Sequence, residues 1–235
     1  MNELLWVVLL LVNFAAVLIA FRLFGKTGLY IWIAASAILA NIQVLKTVEI
    51  FGFVATLGNI IYGTSFLATD ILNEIYGKDD ARQGVWIGFF ILISMTAIMQ
   101  VGLYFIPHSS DFSQQALQTI FGFMPRVVIA SLIAYLLSQT HDVWAYAKWK
   151  KKFSGDNQIW IRNNLSTMVS QLIDSAIFCL IAFAGVFSWG DWWSILITTY
   201  LLKWVVAAAD TPFIYLAKRL YNNGKIPTDL EKEIA

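Results

Sequence analysis

The chain has 235 residues, of which 59% are hydrophobic and only 13% are charged, and its formal net charge at neutral pH is +1. Together with a mean hydropathy of +0.67, this composition excludes an ordinary soluble domain of the same length. The nearly balanced charge gives no indication of nucleic-acid binding.

Seven stretches of the chain are long and apolar enough to cross a bilayer, since a spanning helix needs about 20 mostly apolar residues. Only residues 47–50 separate the second stretch from the third, so six or eight spans are the alternatives. We therefore predict an all-α polytopic membrane protein with a single transmembrane domain over residues 1–235, ending in a short cytoplasmic tail at 218–235. The predicted spans are residues 3–23, 28–47, 51–75, 84–106, 120–144, 164–188 and 192–217.

Lysine and arginine residues gather at alternate ends of these spans. Thirteen of the sixteen basic residues lie in or beside the first, third and fifth loops or in the tail, whereas loops such as 107–118 and 188–193 carry none. Loops rich in Lys and Arg stay in the cytoplasm. The pattern predicts an N-terminus outside the cytoplasmic membrane and a C-terminus inside.

Several charged residues fall inside the predicted spans, where a lone charge costs at least about 2.5 kcal/mol. We expect such residues to face a bundle interior or a water-filled cavity, which makes them the first candidates for a functional site. Arg126 lies near the outer end of its span, from which its side chain can snorkel to the interface. The others are Lys46, Asp70, Asp174, Lys203 and Asp210.

The third span carries the densest polar stripe. Glu74 has a simple alternative explanation there, because Lys78 follows four residues later and can neutralise it at the interface. Asp70 lies deeper and is harder to explain in that way. At 3.6 residues per turn, one helix face presents Asn59, Tyr62, Phe66, Asp70 and Asn73, with Glu74 beside Asp70.

The sixth span has a second polar stripe, which runs from Asn163 or Asn164 through Thr167 and Gln171 to Asp174. One such residue would simply bond two helices together, for about 0.6 kcal/mol on average. Four on one face, ending in a carboxylate near the middle of the membrane, favour a cavity.

The seventh span contains Lys203 and Asp210, which share a helix face but lie two turns, about 10 Å, apart. They cannot pair directly. On the predicted topology Asp174 lies at the depth of Lys203 and is its natural partner, either as a structural ion pair or as a gate. Asp70 and Asp210 both fall toward the cytoplasmic half.

The residue inventory gives no support to an enzyme. His108 and His141 both lie near span ends, so neither an intramembrane metal triad nor a pair of haem ligands is expected. The chain lacks a Walker motif, and so we expect no ATP hydrolysis by this chain alone. Without a cofactor or metal, the expected site is a binding cavity for a small polar molecule.

Two blocks of the sequence resemble the signature of bacterial queuosine-precursor transporters, also called the vitamin uptake transporter family. The resemblance implies a helical bundle similar to the substrate-binding subunits of vitamin transporters. It also implies uptake of 7-deazaguanine precursors of queuosine, such as the nitrile preQ0 and the aminomethyl base preQ1. The first block is residues 66–77, followed by 81–82 and 85–86. The second block is residues 162–167 and 170–174 and extends to Phe178, and Lys203 in the last span matches as well.

The chemistry of such a base fits the candidate residues. Its ring N–H and amino group lie side by side, and one carboxylate can accept both hydrogen bonds. We expect Asp70→Asn and Asp174→Asn to abolish uptake. The candidates are Asp70, Asp174 or Glu74 for the donor edge, Gln171, Asn73, Asn164 or Lys203 for the carbonyl, and Tyr62 or Phe66 for stacking on the ring, with Asn59 and Asp210 nearby.

Two alternative functions are kept. The chain could be the substrate-capturing subunit of a transporter driven by separate ATPase and coupling proteins, or a membrane receptor or scaffold that does not transport. A homo-oligomer is compatible with each alternative. Proton coupling through Asp70 or Asp210 is a further hypothesis, because buried carboxylates can bind protons near neutral pH.

Overall fold

A computed structural model gives the fold, and it describes residues 1–152 and 159–227, with side chains between 139 and 167 described only in part. This part of the chain is almost entirely helical, as an all-α membrane protein requires, with one short β-hairpin between two helices. Four stretches are long and apolar enough to cross a membrane by composition: Asn2–Gln43, Lys78–Leu103, Gln114–Ser138 and Trp189–Asn222. The elements are α1 (Asn2–Gln43), β1 (Thr47–Ile50), β2 (Phe53–Thr56), α2 (Gly58–Ile75), α3 (Lys78–Leu103), α4 (Gln114–Phe121), α5 (Met124–Lys152), α6 (Ile159–Phe183) and α7 (Trp189–Asn222).

Helix α1 is a helical hairpin that contains the first predicted span and the second as far as Gln43, four residues short of its predicted end. Its backbone leaves the helical region at Gly25, where φ is 57° and ψ is −138°, a conformation that glycine adopts readily because it lacks a Cβ atom. The second arm then returns the chain to the level of its start. Asn2 Nδ2 donates to the carbonyl of Glu49 at 2.9 Å, and Glu3 Oε1 accepts from the amide of Phe51 at 3.2 Å.

The β-hairpin occupies the place where the third span was expected to begin. Thr47 pairs with Thr56 and Ile50 with Phe53, and Phe51 and Gly52 form the turn with φ values of 50° and 79°. Two consecutive positive φ values are the mark of a type I′ turn, which matches the twist of a tight hairpin. Helix α2 consequently starts at Gly58, seven residues later than predicted.

Hydrogen bonds from α7 hold the second strand in place. The amide of Val54 donates to Ser194 Oγ at 3.0 Å, and Thr198 Oγ1 donates to the Val54 carbonyl at 3.0 Å. A sheet edge without partners is not tolerated in lipid. The α7 hydroxyls therefore satisfy backbone groups that a two-stranded hairpin leaves open.

Ionic contacts join the helices at the opposite end of the bundle. Lys26 on α1 pairs with Asp80 on α3 at 3.2 Å, and the Tyr30 hydroxyl donates to the same carboxylate at 2.6 Å. Glu74 on α2 pairs with Lys218 on α7. The alternative partner, Lys78, does not continue the same helix, because the chain turns at Gly77 and Lys78 begins α3. We call this the basic end and the other the hairpin end.

Arg126 binds backbone groups at the end of α6. Its Nε donates to the Ile181 carbonyl at 2.8 Å, and its second terminal nitrogen donates to the Ala184 carbonyl at 2.6 Å. The last carbonyls of a helix have no partner within the helix, and a cation also interacts favourably with that terminus. Arg126 thus fixes α5 to α6.

Removing this contact should lower stability. We expect Arg126→Ala to reduce the free energy of unfolding by about 2–4 kcal/mol, because each hydrogen bond to a charged group contributes about 1.5–3 kcal/mol. Thermal unfolding in detergent measures the effect. Lys46→Ala is the control and should leave the unfolding temperature unchanged. The structure exposes Lys46 beside β1 and does not place it in the bundle interior. Equal stability of the two variants would contradict the assignment.

Candidate functional site

A buried ion pair between α6 and α7 lies at the centre of the bundle. The Lys203 ammonium bonds to Asp174 Oδ2, and the two residues are only 7% and 3% exposed. This confirms the pairing predicted from their common depth. Ser138 on α5 donates to the other carboxylate oxygen at 3.3 Å, and the Tyr62 hydroxyl on α2 also faces the carboxylate.

Aromatic rings complete the surroundings of the lysine. Its ammonium lies 4.6 Å from the centroid of the Tyr62 ring and 6.0 Å from that of Phe178, distances at which a cation is attracted to the face of a ring. Of its three N–H donors, one is used by Asp174. The pair therefore retains bonding capacity for a ligand on the side where the protein leaves space.

That space is a small cavity beside the ion pair, which we call the polar chamber. Four helices form the wall: the second arm of α1, α2, α5 and α6, with Lys203 reaching in from α7. The lining residues are Ala40, Asn41, Val44, Gly58, Asn59, Tyr62, Ser131, Ala134, Asp174, Phe178 and Lys203.

Glycines set the distance between these walls. A Cβ atom at Gly58 would lie 2.5 Å from the Ala40 carbonyl oxygen, and one at Gly63 would lie 2.3 Å from Cγ1 of Val206. Both distances are too short for a side chain, so α2 approaches α1 and α7 more closely than larger residues would allow. The close approach brings Asn59 and Tyr62 to the ion pair.

The structure brings four of the predicted site residues together in the polar chamber: Asn59, Tyr62, Asp174 and Lys203. Asn59 Nδ2 is 3.3 Å from Thr199 Oγ1 and 3.3 Å from the Thr56 carbonyl, which orients its amide. Phe66 lies one turn along α2, with its ring centroid 5.0 Å from that of Tyr62. It lines a neighbouring cavity.

The other half of the predicted α2 stripe lies away from the chamber. Asp70, Asn73 and Glu74 are exposed toward the basic end, and Glu74 is held by Lys218. Asp210 is buried at 6% exposure, close enough to Asp70 for the two carboxylates to repel each other. The stripe is continuous along the helix, but the chamber meets only its first half.

Two candidates on α6 have different outcomes. Gln171 lies one turn before Asp174, half-buried, and its Oε1 atom has no hydrogen-bond partner among the described side chains. It does not line the polar chamber. The side chain of Asn164 lies outside the described residues.

Sequence reasoning missed several polar residues of the site. Ser131 Oγ donates to Asn41 Oδ1 at 3.0 Å, which links α5 to the second arm of α1 inside the chamber wall. Ser138 and Thr199 bond to Asp174 and Asn59 respectively. Each is a small, uncharged hydroxyl residue in a largely apolar span. Asn41 carries a weak signal, since it follows the small residues Ala34, Ala37 and Ala40 on its helix.

Comparisons with known proteins bear on these residues. Residues 56–217 match the family model described as "Putative vitamin uptake transporter". A Bacillus subtilis protein named "Probable queuosine precursor transporter" is 48% identical over 222 residues, which cover 94% of this chain and 97% of that protein. An Escherichia coli protein named "Queuosine precursor transporter" is 27% identical over 173 residues, covering 72% of this chain and 74% of that protein.

A Haemophilus influenzae protein named "Probable queuosine precursor transporter" is 27% identical over 156 residues, covering 65% of this chain and 63% of that protein. No solved structure matches the chain. The matched region contains both sequence blocks and the residues of the central ion pair. On these grounds the chain belongs to the vitamin uptake transporter family and is a multi-pass membrane protein.

Proposed function

We propose that the protein is a carrier that takes up 7-deazaguanine precursors of queuosine across the cytoplasmic membrane and binds them in the polar chamber. The names of three relatives support the substrate class. The observation that carries the proposal is the buried Asp174–Lys203 pair, which borders the polar chamber. A buried ionisable residue inside a membrane domain is a candidate for a functional site by default.

Hydrogen-bond chemistry explains how the chamber would recognise such a base. An ionised carboxylate offers about four acceptor positions, and among the described residues Lys203 and Ser138 bond to Asp174 while the Tyr62 hydroxyl faces it. A base that displaces the Tyr62 or Ser138 hydroxyl would find two acceptor positions for the paired ring N–H and amino donors of its guanine-like edge. Lys203 or the Asn59 amide would donate to the ring carbonyl, and the Tyr62 ring would stack on the base.

The basic end faces the cytoplasm in this proposal, and the hairpin end faces outward. Lysine and arginine at the basic end, including Lys26, Lys78 and Lys218, fit that orientation. The polar chamber then extends from the ion pair at the centre of the bundle toward Gly58 and Val44 on the outer side, where an incoming substrate would first meet a binding site.

Transport by the purified chain alone is the decisive test. We expect proteoliposomes that contain only this protein to accumulate labelled preQ0 or preQ1 above the level of protein-free liposomes. Uptake that requires added ATPase and coupling proteins would instead favour the substrate-binding subunit. Binding without transport under either condition would favour a receptor.

A pair of asparagine variants on α2 tests where the base binds. Asn59→Leu should weaken equilibrium binding of labelled preQ1 about tenfold or more, because a lost hydrogen bond in a buried site costs about 1–3 kcal/mol. Asn73→Leu, on the exposed half of the same stripe, is the matched control and should leave the Kd unchanged. Loss of binding in Asn73→Leu with normal binding in Asn59→Leu would move the site to the basic end.

A further inference from the structure

A second and larger cavity adjoins the polar chamber, on the side toward the basic end. It lies between the second arm of α1, α2, α3 and α5. No lysine, arginine, aspartate or glutamate is among the described residues that line it. We call it the aromatic chamber, after Tyr62, Phe66, Phe89 and Tyr135.

The aromatic residues of this chamber form two edge-to-face pairs. The ring centroids of Tyr62 and Phe66 are 5.0 Å apart at an interplanar angle of 85°, and those of Phe89 and Tyr135 are 4.9 Å apart at 88°. The pairs come from α2 on one side and from α3 and α5 on the other. They give the cavity flat apolar surfaces, which suit a planar ring better than a flexible chain.

Three residues belong to the walls of both chambers: Asn41, Tyr62 and Ser131. Ser131 donates to Asn41 across the boundary at 3.0 Å. The Tyr62 ring has the Lys203 ammonium at 4.6 Å and the Phe66 ring at 5.0 Å. These three residues form the partition between the two chambers. It consists of the uncharged Ser131–Asn41 hydrogen bond and the Tyr62 side chain, and it contains no ion pair.

We propose that the aromatic chamber is a second binding station for the planar heteroaromatic base, on the route from the polar chamber to the basic end. This inference rests on the proposed function. At the first station the base is held by charged hydrogen bonds, and at the second by ring contacts and uncharged polar groups. A carried solute must bind well enough to enter and weakly enough to leave. A chamber whose described lining carries no charge would hold the base more weakly than the ionic site does, so the base could leave it.

Filling the aromatic chamber should separate transport from binding. In a Val85→Trp variant, a bulky ring replaces a half-buried side chain of the chamber wall on α3. We expect uptake of labelled preQ1 into proteoliposomes to fall at least about tenfold, whereas the Kd of the detergent-purified protein changes by less than about threefold. Val101→Trp, on the exposed face of the same helix, is the control and should keep both activities.

Leu132→Trp provides an independent obstruction from α5, and exposed Leu136→Trp is its control. The same loss of uptake with retained binding is expected. The inference is overturned if either obstructed variant that elutes as a folded protein transports at the wild-type rate, or if binding falls as much as uptake. Failure of the wild-type protein to bind or transport the base would reject the proposed function instead.

Discussion

Uptake of labelled preQ1 should fall at least about a hundredfold in an Asp174→Asn variant, equivalent to about 2.7 kcal/mol of lost stabilisation. The amide keeps the shape of the carboxylate but replaces one acceptor oxygen with a donor, so it cannot accept the two adjacent N–H groups of the base. It also leaves the Lys203 ammonium buried without its counterion. Breaking a buried pair in this way costs about 3–5 kcal/mol of stability. Proteoliposome uptake and thermal unfolding in detergent measure the two effects.

A double variant distinguishes the transport role of the pair from its structural role. Asp174→Leu combined with Lys203→Met removes both charges together, and apolar replacements of a buried pair are often neutral or stabilising. We expect its unfolding temperature to return close to that of the wild type while uptake stays absent. Asp79→Asn, an exposed carboxylate on α3, controls for loss of one negative charge. Substantial uptake by the double variant would reduce the pair to a structural element.

The same glycine-to-alanine change should have different effects at two positions. At Gly63 the new methyl group would lie 2.3 Å from Cγ1 of Val206 on α7, and valine has little freedom to rotate away. We expect Gly63→Ala to lose about 1–3 kcal/mol of stability, as overpacking does in a close-packed interior. Uptake should fall as well, since the helix that carries Tyr62 must move away from Lys203. At Gly102 no atom lies within 4 Å, so Gly102→Ala should have little effect.

A second substitution, at Val206, tests whether a clash between these two side chains causes the loss of stability in Gly63→Ala. Val206→Ala removes the clashing methyl groups, so the Gly63→Ala and Val206→Ala double variant should be more stable than Gly63→Ala alone. A coupling energy of about 0.5–3 kcal/mol is typical of residues in direct contact. Purely additive effects, measured by thermal unfolding of the four proteins, would show that the two side chains are not the source of the strain.

The helical class and the central ion pair could be predicted from the sequence because they depend on simple quantities. Hydropathy and length identify the spans, and the distribution of lysine and arginine gives their alternation. Once the alternation is known, the depth of each charged residue follows, and Asp174 is the carboxylate at the depth of Lys203. The pairing required no knowledge of which helices are neighbours.

Other features depend on packing between distant segments and could not be predicted in this way. A short apolar run such as residues 47–56 fits a strand or a helix equally well, and its hydrogen bonds to Ser194 and Thr198 lie about 140 residues away. The polar stripe of α2 identified Asn59 and Asp70 alike. Which half of the stripe lines a cavity depends on residues of other helices, such as Asn41 and Ser131.

The helical hairpin α1 has a consequence for what counts as the essential unit of this protein. Residues 56–217 contain the family pattern, yet Ala40, Asn41 and Val44 from α1 complete the wall around Lys203 and Asp174. A shortened chain that starts at residue 56 would carry every residue of the ion pair in a trough open to acyl chains along one flank. The family pattern thus contains both residues of the ion pair, while the 55 residues before it supply part of the wall that separates this pair from lipid.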